Sequence, residues 1–342
     1  MTTVARDPHG HPDDELHEPT GDDPWWRETC WFTFTVPERR LSGQLYPFMA
    51  PTLGVAAAGA YVWDDTGSTP ETCLYAKNHW HLPLPDGPLS DIAFANGIRY
   101  RCTEAQRTYE VRYDDPDGDE LHVELTFTGV AEPHRLGDSH IDQPGRYRGT
   151  LVLRGEEIPV DAYGFRDRSW GSRPQVGPGI HGTPFDHGGY SYATASDDHG
   201  FHMISMDLGD GCTSIHGHLL RDGHWSALAS GRREVVACDD ATGHPTRVRV
   251  EGVDEDGRVL EAEGPCLNHL AFPINPNLFT VNALVAWELD GVVAHGEDHD
   301  NWSAAGIRAF HRRRRGQPGP AAGPGADREE ARGASGGPDR AG

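Results

Sequence analysis

The residues of this 342-residue chain that are best suited to chemistry lie at positions 164–173. This short stretch carries three arginines, an aspartate and a tryptophan, namely Arg166, Asp167, Arg168, Trp170 and Arg173. Guanidinium groups stay charged, present forked donors and stack on indole rings. The cluster therefore suits either a buried anchor that closes a β-barrel or the polar end of an apolar cavity, and the residue types leave both open.

The spacing within this cluster separates its charges if the backbone is extended. Alternate side chains of a strand point to opposite faces, so Arg166 and Arg168 share one face while Asp167 and Ser169 share the other. We expect Arg166 or Arg168 to reach a cavity between two domains and Asp167 to hold the backbone through hydrogen bonds. A carboxylate flanked by two guanidinium groups should also stay ionised, which suits orientation or base work better than proton donation.

A second carboxyl group, Glu28, follows two tryptophans, Trp25 and Trp26. A carboxyl group pressed against indole rings has its charged form disfavoured, so Glu28 would act as an acid near neutral pH. The alternative is a structural ion pair between Glu28 and Arg166 or Arg168.

Tyr190 and Tyr192 are expected to share a strand face. Their hydroxyls would then donate hydrogen bonds to a ligand carbonyl or oxyanion, with simple ring packing as the alternative. The sequence hypothesis names eight site residues in all: Glu28, Asp167 and Tyr192 for catalysis, and Arg166, Arg168, Trp170, Arg173 and Trp31 for substrate binding.

The 20 histidines raise the question of a metal site. His79 and His81, and likewise His216 and His218, would lie on one strand face, and residues 295–299 place Glu297 between two histidines. Metal ligands must converge from separate elements, which one strand cannot demonstrate. Solvent-facing histidines are the alternative, and no metal ligand or cofactor is assigned from the sequence.

Composition narrows the class of partner. With 53 acidic against 30 basic residues the formal charge is −23, so the folded body should repel nucleic acid and anionic membranes. No apolar run approaches the ~20 residues that cross a bilayer, and the acidic N-terminus lacks the pattern of a signal peptide. We therefore expect a cytoplasmic protein with reduced cysteines and no stable membrane insertion. The charge is compatible with a small neutral or cationic ligand, and the oligomeric state stays open.

The elements that position these residues are predicted to be strands. Residues 121–127 and 30–36 alternate in hydrophobicity with period two, and six Asp-Gly pairs offer tight turns between strands. With 42 glycines and 26 prolines, few segments favour a helix. The chain is therefore predicted to be all-β.

Length and pattern predict two packed antiparallel β-barrel or sandwich domains. We place an N-terminal arm at residues 1–24, a first β-domain at 25–160 and a second at 161–311. The basic, Gly- and Pro-rich segment 312–342 is predicted to be a disordered tail.

Three segments besides the arginine cluster carry a family resemblance: residues 22–28 (Asp-Asp-Pro-Trp-Trp-Arg-Glu), 140–146 (His-Ile-Asp-Gln-Pro-Gly-Arg) and 295–299 (His-Gly-Glu-Asp-His). Across about residues 22–310 the chain resembles a bacterial family of unknown function with tandem lipocalin-like domains. More distantly it is similar to carotenoid 1,2-hydratases, kievitone hydratase and lipocalin-like Diels-Alderases and cyclases.

The resemblance implies an apolar substrate held in a cavity. The hydratases show an Asp-His-x-Trp-Gly pattern, whereas this chain has Arg168 in place of the histidine. Arginine does not exchange a proton near neutral pH, so the hydration mechanism does not transfer to that position.

Together these observations predict an enzyme that binds an isoprenoid, polyketide-like or aromatic molecule and catalyses cofactor-free hydration, dehydration, isomerisation or cyclisation. A non-catalytic carrier of the same molecules is the first alternative. A metal-dependent β-barrel enzyme is the second.

Overall fold

The computed structural model describes residues 10–173, 185–275 and 277–316. Over these ranges the chain forms two antiparallel β-sheets and one C-terminal α-helix, so the prediction of an all-β protein with two packed domains is confirmed. None of the helices in these ranges is long and apolar enough to cross a membrane. All six cysteines lie within the described residues, and all six are free thiols.

The first domain is an open half-barrel. Its strands in the described ranges are β1 (Trp26–Val36), β2 (Leu41–Ala50), β3 (Val55–Trp63), β4 (Tyr75–Pro83), β5 (Asp91–Ala93), β6 (Ile98–Glu104), β7 (Thr108–Asp114), β8 (Leu121–Gly129), β9 (His134–Arg135), β10 (His140–Leu153) and β11 (Glu156–Ser172). The hydrogen-bonded order is β4-β3-β2-β1-β11-β10-β8-β7-β6-β5, and the short β9 pairs with β10. The long strands β1 and β11 are therefore neighbours at the middle of the sheet.

The second domain is a closed barrel. Its strands in the described ranges are β12 (His187–Ser196), β13 (His199–Asp207), β14 (Cys212–Arg221), β15 (His224–Cys238), β16 (Pro245–Asp254), β17 (Val259–Pro265), β18 (Leu270–Asn275), β19 (Leu278–Leu289) and β20 (Val292–Ser303). The order is β17-β16-β15-β14-β13-β12-β20-β19-β18, and an additional pairing of β17 with β19 closes eight of these strands into the barrel.

Burial along the strands shows where the domains meet. In β8 the alternate residues Leu121, Val123, Leu125 and Phe127 are buried, as the period-two pattern predicts for a strand with one wet face. In β1 ten of eleven residues are buried despite the same alternation. Strand β1 has no solvent-exposed face, because one side packs on the first-domain core and the other side packs on the second domain.

Several tight turns agree with the sequence. Asp222 and Gly223 between β14 and β15 both have positive φ, and so do Asp290 and Gly291 between β19 and β20. Positive φ at both central residues is the type I′ geometry expected of Asp-Gly hairpins. The β10–β11 hairpin uses Arg154 and Gly155 instead, at φ 52° and 82°, a turn that the search for Asp-Gly pairs missed.

The boundaries of the structural units differ from those drawn on the sequence. Strand β11 runs through residue 160 without interruption, so the change from the first sheet to the second falls between Ser172 and His187. Helix α1 (Ala304–Arg314) extends past residue 311 and packs Phe310 against Trp302 of the barrel, with ring centroids 5.0 Å apart. Residues beyond 316, where most of the predicted tail lies, are outside the described ranges.

Residues 13–15, which fall within the predicted N-terminal arm, lie in the first-domain core. Asp13, Asp14 and Glu15 are all buried. The Glu15 carboxylate accepts hydrogen bonds from the Leu89 amide at 2.8 Å and the Ser90 hydroxyl at 2.5 Å. Acidic residues ahead of the first strand thus fill positions inside the half-barrel.

Candidate active site between the two domains

The two faces of β11 have different surroundings, and this difference defines the site. Even-numbered side chains, such as Arg166 and Arg168, point into the first-domain core, where both are almost fully buried. Odd-numbered side chains, such as Phe165 and Asp167, face the second domain. The sequence hypothesis separated these faces correctly but expected an arginine to face the space between the domains.

Arg168 is held entirely by first-domain groups. Its guanidinium pairs with the buried carboxylate of Glu28 and donates to the backbone carbonyls of Glu15 at 2.9 Å and Asp13 at 3.2 Å. Burial alone would raise the pKa of Glu28, but Arg168 and His17 outweigh it and hold that pKa below its usual value. Glu28 is therefore an ionised partner of Arg168, the structural alternative considered above, rather than a protonated acid.

Arg166 likewise contacts first-domain groups, although its Nη2 finds no hydrogen-bond partner among the described residues. Its guanidinium lies 4.0 Å above the ring centroid of Tyr109 and donates from Nε to Gln143 at 2.6 Å. The carboxylate of Asp14 is 3.8 Å from Nη2. Both central arginines of the motif thus lie on the side of the sheet that faces away from the second domain.

Trp170 also lies on the first-domain side. It is buried with Trp26 and Ile141, and its ring stacks on His17 with centroids 3.9 Å apart.

We expect Trp170→Ala to lower the free energy of unfolding by ~3–5 kcal/mol, because it removes a buried indole and leaves a cavity. Urea denaturation would measure the loss. Trp80→Ala is the matched control, since Trp80 is 50% exposed on β4 and should change stability by less than about 0.5 kcal/mol. Equal effects of the two substitutions would show that Trp170 is not an anchor.

The odd-numbered face of β11 meets an aromatic surface of the second domain. Phe165 stacks on Tyr192, with ring centroids 4.6 Å apart, and contacts Tyr190 edge to face at 5.8 Å. Trp31 of β1 makes edge contacts with the same two tyrosines at 5.7 and 6.4 Å. These four rings form an apolar wall between the domains, with Tyr46 and Ile204 at its margin.

Asp167 lies beside this wall on the same face as Phe165. Its Oδ1 is shielded from solvent and finds no hydrogen-bond partner among the described residues. Burial, with a contribution from Asp142, raises the pKa of Asp167 to about 6, although His140, Arg173 and His299 oppose the shift. Strand alternation turns Arg166 and Arg168 away from Asp167, so its pKa is raised rather than held low, and its Oδ1 does not make the hydrogen bond to the backbone that the sequence predicted.

A charged network borders Asp167 on β10. The carboxylate of Asp142 accepts hydrogen bonds from His140 Nε2 at 2.9 Å and from the Tyr190 hydroxyl at 2.5 Å, and Ser169 Oγ lies 2.9 Å from His140 Nδ1. Burial favours neutral forms, but the pairing wins: it raises the pKa of His140 and lowers that of Asp142. Each member of the pair therefore favours the charged form of the other next to Asp167.

Tyr192 lies near a second buried carboxylate. Burial and the neighbouring Glu297 carboxylate raise the pKa of Tyr192, so its hydroxyl keeps its proton. Glu297 accepts from the Thr33 hydroxyl at 2.9 Å and contacts His299 Nε2 at 3.1 Å. A neutral phenol buried at the interface between the domains is therefore available as a hydrogen-bond donor.

Histidines from three strands gather at one end of the same interface. His134 of β9, His202 of β13 and His218 of β14 place ligand nitrogens within 4.8 Å of one another. His216 on β14 adds another imidazole, with its Nε2 3.6 Å from Asp142. Burial lowers the pKa values of His134 to about 2, His202 to about 3 and His218 to about 4, so these rings are neutral.

The sequence-based set thus divides between two environments. Glu28, Arg166, Arg168 and Trp170 lie in the first-domain core, while Trp31, Asp167 and Tyr192 face the second domain. Arg173, beyond the end of β11, acts electrostatically on Asp167 and belongs with the second group.

Sequence reasoning missed several residues of the interface. His140 and Asp142 stood in the family-like segment 140–146 but were given no role. The pair His216 and His218 was noticed as a strand pattern, yet its neighbours His134 and His202 carry no local signal.

Solved structures of similar fold support this architecture. A putative AttH from Nitrosomonas europaea aligns with a TM-score of 0.58 at 15% identity, covering 88% of this chain and 97% of its own. CghA with Sch210972 aligns with a TM-score of 0.52 at 14% identity, covering 87% and 97% respectively. Kievitone hydratase from Nectria haematococca aligns with a TM-score of 0.51 at 8% identity, covering 84% and 91%.

At such identities these structures establish a shared fold, as the sequence resemblance to kievitone hydratase implied. No curated protein sequence matches the chain. A family model does match residues 10–302, which is most of the chain and begins with the acidic segment that fills the half-barrel. The chain belongs to the family described as domain of unknown function DUF7064.

Proposed function

We propose that this protein binds a small hydrophobic molecule between its two β-domains and catalyses hydration, dehydration, isomerisation or cyclisation by proton transfer. The observation that carries the proposal is Asp167, whose Oδ1 is buried without a hydrogen-bond partner among the described residues beside a wall of four aromatic rings. A carboxyl group with a pKa of about 6 changes protonation state near neutral pH, which suits a general base.

The neighbouring groups suggest a division of roles. In its ionised form Asp167 would take a proton from the bound molecule. The protonated form of His140 would then stabilise the negative charge left on that molecule. The Tyr192 hydroxyl would donate a hydrogen bond to a substrate oxygen on which negative charge develops. Trp31 and Phe165 would orient an apolar ring or chain by contact and exclude water.

The class of substrate is inferred from this lining. Four aromatic rings from the two domains pack beside Asp167, and apolar side chains with a few polar groups are typical of sites for small organic ligands. Two proteins of similar fold are a hydratase for kievitone and a protein solved with Sch210972. An isoprenoid, polyketide-like or aromatic substrate in a cytoplasmic protein fits these features.

Mass spectrometry of freshly purified protein under native conditions tests the binding step. We expect a small molecule to be retained, because a largely enclosed apolar site holds its ligand through purification. The extracted molecule would then be returned to the protein in D2O. Incorporation of solvent deuterium, or addition of D2O, is the result expected of an enzyme.

A carrier gives a different outcome in the same experiment. The molecule would bind and be released with unchanged mass, since a carrier needs the cavity but no proton transfer. Retention without any exchange or conversion would therefore favour the carrier over the proposed enzyme.

A further inference from the structure

Three histidines at the domain interface converge although they are far apart in sequence. His134 belongs to the half-barrel, whereas His202 and His218 belong to neighbouring strands of the closed barrel. The rings of His134 and His218 are stacked, with centroids 3.7 Å apart and planes at 27°. The ligand nitrogens of all three lie within 4.8 Å of one another.

Each ring has a buried nitrogen that no described residue satisfies. Both ring nitrogens of His202 lack a hydrogen-bond partner among the described residues, and so does Nδ1 of His134 and of His218. His202 is fully buried and His134 is 9% exposed. A buried polar atom without a partner costs about 1–3 kcal/mol, so three such rings in contact need a common explanation.

Nearby acidic groups do not supply it. The carboxylate of Asp142 is 3.8 Å from His202 Nε2, beyond hydrogen-bonding distance, and its oxygens already accept from His140 and Tyr190. The unpartnered imidazole nitrogens of the cluster therefore lie close together without a carboxylate to satisfy them.

We propose that His134, His202 and His218 bind one divalent first-row transition-metal ion of the Zn²⁺ type, which bridges the half-barrel and the closed barrel. Imidazole nitrogen is a preferred ligand of these ions, and a coordinated ion satisfies one buried nitrogen on each ring. The ligands come from three strands in two domains, which is the convergence that a single strand cannot provide.

The spacing requires a modest adjustment on binding. Zn–N bonds of about 2.0–2.1 Å in a tetrahedral site place ligand nitrogens roughly 3.3 Å apart. The nitrogens of the cluster must therefore move closer together by about 1 Å, and the angle between the stacked rings of His134 and His218 must increase. His134 lies on the two-residue strand β9, which is paired only with β10 in the described sheet, and side-chain rotation there is the simplest adjustment. A fourth position would remain for His216 or a water molecule.

This site is separate from the proton chemistry proposed for Asp167. The charges that act on Asp167 are those of His140, Asp142, Arg173 and His299, none of which is a proposed ligand. Loss of the metal site would leave the Asp167 proposal standing, and the reverse also holds.

Metal analysis of protein without a histidine tag tests the inference. The chelator-treated protein would be equilibrated with Zn²⁺ or Co²⁺, dialysed and assayed by elemental mass spectrometry. We expect one ion per chain, a Co²⁺ spectrum of tetrahedral intensity, and a rise in melting temperature with Zn²⁺ because the ion binds only the folded state.

Substitutions locate the ion. His202→Gln and His218→Gln should each abolish stoichiometric binding while the metal-free variants keep the circular dichroism of the wild type. His224→Gln is the control, because His224 is an exposed histidine of the same barrel that pairs with Asp256. If a variant in the barrel fails to fold, His134→Gln at the sheet margin replaces it.

Two results would overturn the proposal. One is folded wild-type protein that binds neither ion after dialysis. The other is stoichiometric binding that survives His202→Gln and His218→Gln, or that His224→Gln removes equally, since either pattern places the ion elsewhere.

Discussion

Replacing Asp167 by asparagine is expected to lower turnover of the retained molecule by about 10²–10⁴-fold, because general-base catalysis typically contributes that much. Asparagine keeps the shape of the side chain but cannot take a proton. The measurement is the rate of solvent-deuterium incorporation by the wild type and the variant. For the wild type the rate should fall as pH drops through about 6, since protonation removes the base.

The same substitution should not weaken the fold. Burial raises the pKa of Asp167 above its ordinary value of 3.8, so above pH 6 the folded protein holds a carboxylate that would be more stable in the unfolded chain. At pH 7 Asp167→Asn should therefore be at least as stable as the wild type, and any advantage should shrink as pH falls towards 4. Thermal unfolding across this range would show the trend.

Asp161 provides a matched control on the same strand. It lies on the same face of β11 but at the exposed end, where it pairs with Arg146. Asp161→Asn should change neither turnover nor its pH dependence. Full activity of Asp167→Asn would remove the carboxyl group from the mechanism.

A loss of stability of ~3–5 kcal/mol, as large as that of Trp170→Ala, is expected from Arg168→Met, because it leaves the buried Glu28 carboxylate without its cation. The backbone carbonyls of Asp13 and Glu15 would also lose their donor. Urea denaturation at pH 7 would measure this. Without Arg168 burial raises the pKa of Glu28, so the variant regains stability as pH falls towards the ordinary Glu value of 4.5. Below 4.5 the wild type loses the stability that its lowered Glu28 pKa provides, so the difference narrows further.

Arg148→Met is the control for Arg168→Met. Arg148 is an exposed residue of β10 whose partner Asp161 is also exposed, and such pairs contribute little. Its loss should alter stability by less than about 1 kcal/mol. Normal stability of Arg168→Met, together with loss of ligand binding, would instead show that Arg168 is a ligand-binding residue.

Part of this site follows from the sequence alone. Period-two alternation correctly separated Arg166 and Arg168 from Asp167, because side-chain direction in a strand is local. It could not tell which face meets which domain at the arginine cluster, since β11 is largely buried on both sides over residues 164–170 and shows exposed alternate residues only nearer its start. The same arrangement explains why the pKa of Asp167 is raised, because the arginines beside it in sequence lie on the other face of the sheet.

Long-range pairing accounts for the other differences. The first sheet is completed by β11, which returns to pair with β1, and that register depends on contacts more than a hundred residues apart in sequence. A boundary placed near residue 160, just ahead of the arginine cluster, therefore falls within strand β11. The acidic residues at 13–15 fall in the predicted N-terminal arm. Their burial could not be predicted locally, since their partners lie on distant strands.

The histidine cluster illustrates the same limit. His216 and His218 have the two-residue spacing of one strand face, which is visible in the sequence. The structure places both at the domain interface. His134 and His202 have no such spacing, and only the packing of the two domains brings them to His218.

The carboxyl pKa of Asp167 tests the central claim most directly. Protein labelled with ¹³C at the aspartate carboxyl carbon would be titrated by NMR, and the Asp167 signal identified by its absence from Asp167→Asn. We expect the Asp167 carboxyl group to titrate with a midpoint near pH 6, and this midpoint should shift when a ligand binds between the domains. A midpoint at or below the ordinary value of 3.8, unaffected by ligand, would contradict a proton-transferring site on this face of β11.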